Sequence, residues 1–221
     1  MKEVQDHWFR EAKAKGYRSR AAFKLIEIDR RKRVLRPGQR VLDVGAAPGS
    51  WTQVAAAIVG SRGEVVGFDL KAIDPAGLPA NARVLTGDLR EIELDALGGR
   101  PFDVVLSDMA PDTTGDPSGD QARSARLCHE LLDRIGGWLR PGGTLVYKVF
   151  EGGDYPELLR RTTGLFEKAK GFKPPASRQE SVEMYVIAER LRAQRDEPPT
   201  ANEDPNAIAR PRPRGWGSQS S

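Results

Sequence analysis

Soft metal ligands are almost missing from this sequence: among 221 residues there is one cysteine, Cys128, and two histidines, His7 and His129. One thiol cannot close an internal disulfide, and the set is too small for a structural zinc centre. No metal is expected. Long apolar runs are missing too, since none reaches the roughly 20 residues that a bilayer-spanning helix needs. The opening MKEVQDHWFREAKAKGYRSR mixes acids with bases and has no apolar stretch, so neither a secretory signal nor an acid-poor transit peptide is visible. These absences point away from a membrane and toward the cytoplasm. Aromatic residues are few, at 7%, but 38% hydrophobic and 30% charged residues suit a water-soluble fold. The length leaves room for one domain with additions.

The formal net charge of +4 is unevenly spread. Residues 1 to 40 hold 13 Lys and Arg against 5 Asp and Glu, so this segment is +8 and the rest of the chain −4. Arg18, Arg20, Lys24, Arg30, Arg31, Lys32, Arg33 and Arg36 are its densest part. A basic segment on a mildly acidic body is the electrostatic footprint of a protein that meets a polyanion such as nucleic acid. A solvated helix face is the plainer account of the same charges. Lys168, Lys170, Lys173 and Arg178 form a second, smaller cluster.

No internal repeat is apparent. From Ser19, a candidate N-cap, AAFKLIEIDRRKRVL reads as a helix with Ala22, Leu25 and Ile26 on its inner face and Pro37-Gly38 as its stop. Short apolar runs then alternate with helical patterns: RVLDVG, TQVAAAIV, EVVGFDL, ARVLTGD, FDVVLSDMA, ARSARLCHELLDRIGGWL and GTLVYKVF. Val- and Leu-rich strands that are polar only at their ends, separated by helices, imply a buried parallel sheet in an α/β fold. After a helix near YPELLRRTTGLF, the segments FEKAKGF and VEMYVIAER have no helical pattern between them, so an antiparallel pair is expected at the sheet edge. The chain divides into a basic helical segment packed on the core (1–39), a core (40–192), and a Pro-rich segment (193–221) whose composition predicts disorder. Trp216 in that last segment has no explanation.

Residues 43 to 51, DVGAAPGSW, form a glycine-bearing turn between a strand and a helix. Gly45 and Gly49 let the backbone approach a ligand closely, and the helix start offers free amides. A dinucleotide fingerprint would need Gly where Ala47 and Ser50 stand, and a P-loop would need Gly-Lys-Ser or Gly-Lys-Thr. NAD and nucleotide hydrolysis are both disfavoured. Asp69 falls where a carboxylate accepts the hydroxyls of a bound ribose, and Asp88 and Asp108 end the next two strands. Any one such acid is more often a turn former. Four together, counting Asp43, suggest a pocket rich in acceptors with no evident cation for pyrophosphate. A ligand with a nucleoside end and a positive charge fits, and S-adenosylmethionine has both. Clustered carboxylates could instead hold Mg²⁺, but acids that each end a different strand are also what a nucleoside pocket presents.

The stretches KGYRSRAAFKLIEID, DVGAAPGSWTQ, FDLKAIDP, GDLRE, SDMAPDTTG, PGGTLVYKVF and SRQESVEMYVIA, in this order over residues 5 to 190, resemble the FtsJ/RrmJ (RlmE) family of ribosomal RNA large-subunit methyltransferases. The resemblance implies a Rossmann-like methyltransferase sheet with an antiparallel last strand, dependence on S-adenosylmethionine, and methylation of a ribose 2′-hydroxyl. A uridine of the A loop is the implied target; the compact size of the chain suggests recognition within the assembled large subunit, and a monomer is expected. The family's Lys-Asp-Lys-Glu tetrad matches Lys24, Asp108, Lys148 and Glu183. Its cofactor residues match Gly49, Trp51, Asp69, Asp88 and Asp108, with Gly45 in the same loop. Ser50 departs from a common second Gly.

Methyl transfer to a hydroxyl requires alignment and removal of a proton from a weak acid. Held geometry supplies up to about 7–11 kcal/mol and a positioned base about 10²–10⁴ in rate. Lys148 is the expected base, Lys24 the residue that tunes it and holds ribose or phosphate, Asp108 its orienter, and Glu183 an orienter of the lysines or hydroxyl. A second cation or desolvation makes a neutral lysine available. Lysines on helices are usually surface residues and acids beside strands usually solvated, so Lys24 and Glu183 rest on the resemblance. Lys148 interrupts the apolar LVYKVF, where an unpartnered lysine is rare. A methyltransferase for messenger cap or transfer RNA, and an RNA-binding assembly factor without turnover, are the alternatives; the short chain argues against the first and the intact tetrad against the second.

Overall fold

The segments RVLDV, EVVGFD, ARVLT and FDVVLS form β1 (Arg40–Val44), β2 (Glu64–Asp69), β3 (Ala82–Thr86) and β4 (Phe102–Ser107) in the computed structural model, which describes residues 10–174 and 182–193. They are followed by β5 (Leu139–Phe150), β6 (Phe166–Phe172) and β7 (Glu183–Leu191) in one sheet of order β3-β2-β1-β4-β5-β7-β6. The first five strands are parallel, and β7 runs antiparallel between β5 and the edge strand β6. This is the α/β sheet with an antiparallel last strand that the pattern predicts. The residues before Arg10, the connection 175–181 that contains Arg178, and the segment from Gln194 onward with Trp216 lie outside the described residues.

The helices α1 (Ala21–Lys32), α2 (Ser50–Val59), α3 (Pro117–Trp138) and α4 (Tyr155–Leu165) cover the sheet. Alternate residues of each strand point to opposite faces, which sorts the core into two halves. Leu25 and Ile28 of α1 and Trp51 and Val54 of α2 pack on Val41, Val65, Leu106 and Val146. Leu131 and Trp138 of α3 and Leu158 of α4 pack on Leu42, Val66, Val105 and Tyr147. Burial on both faces explains why the central strands read as nearly unbroken apolar runs. Among the described residues no helix is long and apolar enough to cross a membrane.

Local boundaries differ from the sequence reading in two places. Helix α1 starts at Ala21, whose amide donates to the Ser19 hydroxyl at 3.2 Å as the capping expectation requires, with Arg20 between them; it stops at Lys32, where Arg33 turns left-handed at φ 51, well before Pro37. Its inner face uses Ile28, which is fully buried, while Ile26 is only half-buried. Strand β5 begins at Leu139 rather than near Gly143, because Leu139 already pairs with Phe102 before the register shifts. A left-handed Gly142 sits in that irregular stretch, and it disguises the first part of the strand as a turn.

At the N-terminal ends of the strands, Arg40 donates from Nε to Glu64 at 2.8 Å and reaches the Leu97 and Arg100 carbonyls with its other nitrogens. Arg83 and Arg100 approach the same carboxylate at 3.4 Å. Burial alone pushes the Glu64 carboxyl up, but the Arg40 and Arg83 guanidinium groups outweigh it and hold the carboxyl below its ordinary 4.5. A depressed carboxyl contributes stability above the unfolded value and loses it as pH falls through the folded one. Urea unfolding of Glu64→Gln should therefore show a loss of roughly 1 to 2 kcal/mol near neutral pH, the partial exposure of Glu64 keeping it modest. The gap to the native chain should narrow as pH drops below 4.5; a gap independent of pH would contradict the assignment.

Candidate active site

Every parallel strand delivers its C-terminal end to one edge of the sheet, and a cavity of about 420 Å³ opens there. Its walls include Gly45, Asp69, Asp88, Asp108 and Met109, with Phe68, Leu70, Leu89 and Leu127 as apolar surface. Asp69 ends β2; its Oδ2 accepts from the Ala47 amide at 3.0 Å and its Oδ1 from the Lys71 amide at 2.8 Å. A carboxylate has about four lone-pair directions, so each oxygen keeps one for a ligand hydroxyl. Asp88, just past β3, accepts from the Arg90 amide at 2.9 Å. These are the turn-forming contacts that acids at strand ends ordinarily make, combined with exposure to a cavity.

Sequence reasoning placed four acids together, and the structure separates one of them. Asp43 is fully buried beneath the loop, where Thr52 of α2 donates to its Oδ2 at 2.7 Å. Its Oδ1 has no hydrogen-bond partner among the described residues. Burial pushes its carboxyl up to about 7 against the Thr52 hydrogen bond, with the Asp108 and Asp69 charges adding to the rise. The cavity also holds what was not foreseen: Asp112, the cations Lys71 and Arg90, and Glu130, which pairs with Arg90 at 3.1 Å. The expectation of a wall without cations is corrected accordingly.

Gly49 and Trp51 do not line the cavity. Gly49 stands before α2 at φ 107, and a Cβ there would lie 2.9 Å from Nη1 of Arg18. That guanidinium donates to the Pro48 carbonyl at 2.8 Å and the Ala76 carbonyl at 2.6 Å, so it clasps the glycine loop to the segment after β2. The Trp51 indole donates to the Ala21 carbonyl at 2.9 Å and stacks on Tyr185 at 5.7 Å, tying α2 to α1 and β7. Ser50, where the family often has glycine, is buried and shares a 2.7 Å hydrogen bond with the Ser19 hydroxyl.

Beside the cavity the four residues of the tetrad form one chain of alternating charge. Lys148 on β5 is 6% exposed and lies 2.9 Å from Asp108 Oδ1, while also donating to the Asp108 backbone oxygen at 2.7 Å. Glu183 on β7 is 3.9 Å from Lys148 and accepts from Lys24 of α1 at 2.6 Å. The antiparallel pairing explains the meeting: Lys148 faces Tyr185, and Phe150 faces Glu183, so these side chains share the face that α1 covers. Glu183 therefore links Lys24 and Lys148. Tyr185 was not anticipated; its hydroxyl donates to Asp108 Oδ1 at 2.7 Å. Burial, reinforced by the Asp108 and Glu183 carboxylates, pushes this phenol well above its ordinary value, so it remains a donor. Its position two residues after Glu183 was the available signal. Behind β5, the buried Cys128 thiol donates to the Lys148 carbonyl at 3.2 Å, and burial pushes it up to about 12.

The residues present suit a nucleoside ligand with a positive centre: a cavity within the usual small-molecule range, apolar walls for a flat base, and acidic acceptors around it. Gly45 keeps the cradle open, because at φ 74 a Cβ would sit 2.3 Å from Met109 Cγ. Gly45→Ala should accordingly lower stability by about 1–3 kcal/mol, the cost of strained backbone, read from the denaturant midpoint. An unchanged midpoint would mean that the loop does not need this approach.

Residues 17–191 match the FtsJ-like methyltransferase family. Curated relatives named ribosomal RNA large subunit methyltransferase E include those of Syntrophobacter fumaroxidans, 49% identical over 86% of this chain and 97% of the relative, and Acinetobacter baylyi, 42% identical over 84% and 87%. A crystal structure from Plasmodium falciparum, provisionally described as a ribosomal RNA methyltransferase, superposes with a TM-score of 0.69 at 26% identity, covering 79% of this chain and 98% of that one. The match spans the sheet, the glycine loop and all four tetrad residues, and the chain belongs to the FtsJ-like methyltransferase family.

Proposed function

We propose that this protein uses S-adenosylmethionine to methylate a ribose 2′-hydroxyl in large-subunit ribosomal RNA, with Lys148 as the general base. The observation that carries this reading is the position of Asp108, which lines the cavity and also grips Lys148. A donor in the cavity and an acceptor at the tetrad would then meet across one residue. The relatives' names support the large-subunit RNA, and the resemblance of the tetrad supports the 2′-hydroxyl, with a uridine of the A loop as the target. The assembled large subunit in the cytoplasm is the proposed partner, and the proposed working form is a monomer. Residues 1–39 are the proposed RNA-binding part, resting on the basic surface of α1.

When bound, S-adenosylmethionine supplies an electrophilic methyl group on a positively charged sulfur. Asp69 would accept hydrogen bonds from the ribose hydroxyls through its two free lone-pair directions, and Asp88 would meet the base. Asp108 holds Nζ of Lys148 in a fixed direction with two contacts. Nζ of Lys148 is the proposed acceptor of the attacking hydroxyl's proton. Tyr185 keeps Asp108 from rotating, by its 2.7 Å hydrogen bond. Glu183 holds Lys24 next to the tetrad, where its ammonium can meet the substrate's ribose or phosphate. Gly49 and Trp51 support the cavity from behind by shaping the loop and locking α2.

Labelled S-adenosylmethionine supplied with naked ribosomal RNA, assembled subunits and transfer RNA, followed by mapping of 2′-O-methyl positions, tests the reaction directly. Methyl incorporation into transfer RNA alone would overturn the substrate assignment. Calorimetry on Asp69→Ala should show S-adenosylmethionine binding weakened by about 1.5–3 kcal/mol, the range for hydrogen bonds to a charged group. Unchanged affinity in the folded variant removes Asp69 from the site.

Lys148→Arg separates charge from basicity, since guanidinium keeps its proton above a pKa of roughly 12. Both Lys148→Arg and Lys148→Ala should fall by at least about 10² in single-turnover rate, with cofactor affinity within a few-fold of the parent. An arginine variant near the parental rate would refute the base role and leave the methyltransferase reading standing.

A further inference from the structure

Two lysines of the second basic cluster, Lys168 and Lys170, lie outside both the cavity and the tetrad, yet the sheet register turns them toward the same face. On β6, Lys168 pairs with Glu189, Lys170 with Ile187, and Phe172 with Tyr185. Directly opposed residues project to the same side of a sheet. Lys168 and Lys170 therefore project on the side that carries Tyr185, Lys148 and Glu183, the side on which α1 packs. Both lysines are exposed.

Helix α1 bridges the two groups. Near its start, Lys24 binds Glu183 and lies 5.9 Å above the Tyr185 ring; at its end, Lys32 lies 5.3 Å above the Phe172 ring. Tyr185 and Phe172 are neighbours on adjacent strands, so the helix leads from the tetrad toward the edge of the sheet. Ile187 and Glu189, which mark the levels of Lys170 and Lys168, are four and six residues beyond Glu183, roughly 13 and 20 Å along the strand. Such spacing is too far for the nucleotide at the tetrad and suited to phosphates further along the same RNA.

Acidic neighbours leave this surface basic. Glu167 is taken by Arg190 on the opposite face, and Glu27 by Arg30 and Arg31, which among the described residues leaves Glu189 as the acid opposite Lys168. Lysines on an edge strand also discourage pairing between copies, which is the plainer account of their presence. That account requires only charge at the edge and is indifferent to which face the charges share.

We propose that Lys168 and Lys170 of β6, continued by Lys32 of α1, form a phosphate-binding track for substrate RNA beyond the methylated nucleotide. The inference rests on the RNA methyltransferase reading given above. The test is the double variant Lys168→Gln/Lys170→Gln, titrated with a transcribed domain of large-subunit ribosomal RNA over a range of salt. Each lost phosphate contact removes about 0.7–0.9 from the slope of log affinity against log salt, so the slope should drop by roughly 1.4 to 1.8. Binding near 0.1 M salt should weaken roughly tenfold or more by the same relation. Half-saturation in RNA should rise in parallel, while the single-turnover rate at saturating RNA and the affinity for S-adenosylmethionine stay as in the parent. An unchanged salt slope and half-saturation, beside a parent that binds and methylates this RNA, overturns the track alone. A parent that neither binds nor methylates the RNA overturns the track together with the reading beneath it. Self-association of the double variant with RNA affinity intact supports the edge-protection account and overturns the track.

Discussion

A buried ammonium has to be neutralised, and in this fold the partner that does so is also part of a cavity wall. Lys148 sits in a strand covered on both faces, and its nearest carboxylate, Asp108, lies just past the end of the neighbouring strand. Taking a lysine out of water is unfavourable unless it is paired and hydrogen-bonded. The contact is therefore a condition of β5 having lysine at this position at all. Tyr185 and Glu183 extend the arrangement because β7 runs antiparallel to β5, and Lys24 completes it because α1 packs on that face. Four elements far apart in the chain meet around one charge.

Much of this was legible beforehand, for reasons that can be named. Lys148 stands out because a charge inside an unbroken apolar run has few innocent explanations. Asp69, Asp88 and Asp108 are legible because parallel strands end together, so an acid at each end falls on the same edge. The antiparallel β7 could be read from the lack of a helical sequence pattern between two strand-like segments. Lys24 and Glu183 came only from resemblance, because their meeting depends on long-range register that no local pattern encodes.

What escaped notice follows equally physical lines. Tyr185 looks like core in sequence, since a buried tyrosine and a packed phenylalanine share the same spacing; only its hydroxyl distinguishes it. Asp43 reads like the other strand-end acids, but it is one residue short of the end of β1 and turns under the loop toward Thr52. Arg18 is indistinguishable from its basic neighbours until the fold sets its guanidinium against Pro48 and Ala76. That Ile28 is fully buried while Ile26 packs at the margin of the same cluster reflects how far around α1 its buried stripe extends, which depends on the angle at which it meets the sheet.

The lone cysteine has a use that its burial defines. Its thiol is pushed up to about 12 and bonded to the carbonyl of Lys148, so the reactive thiolate is scarce and sterically closed off. A thiol reagent can reach it only while α3 has parted from β5. With no second cysteine in the sequence to confuse the signal, the pace of alkylation becomes a built-in clock for breathing of the strand on which Lys148 is mounted.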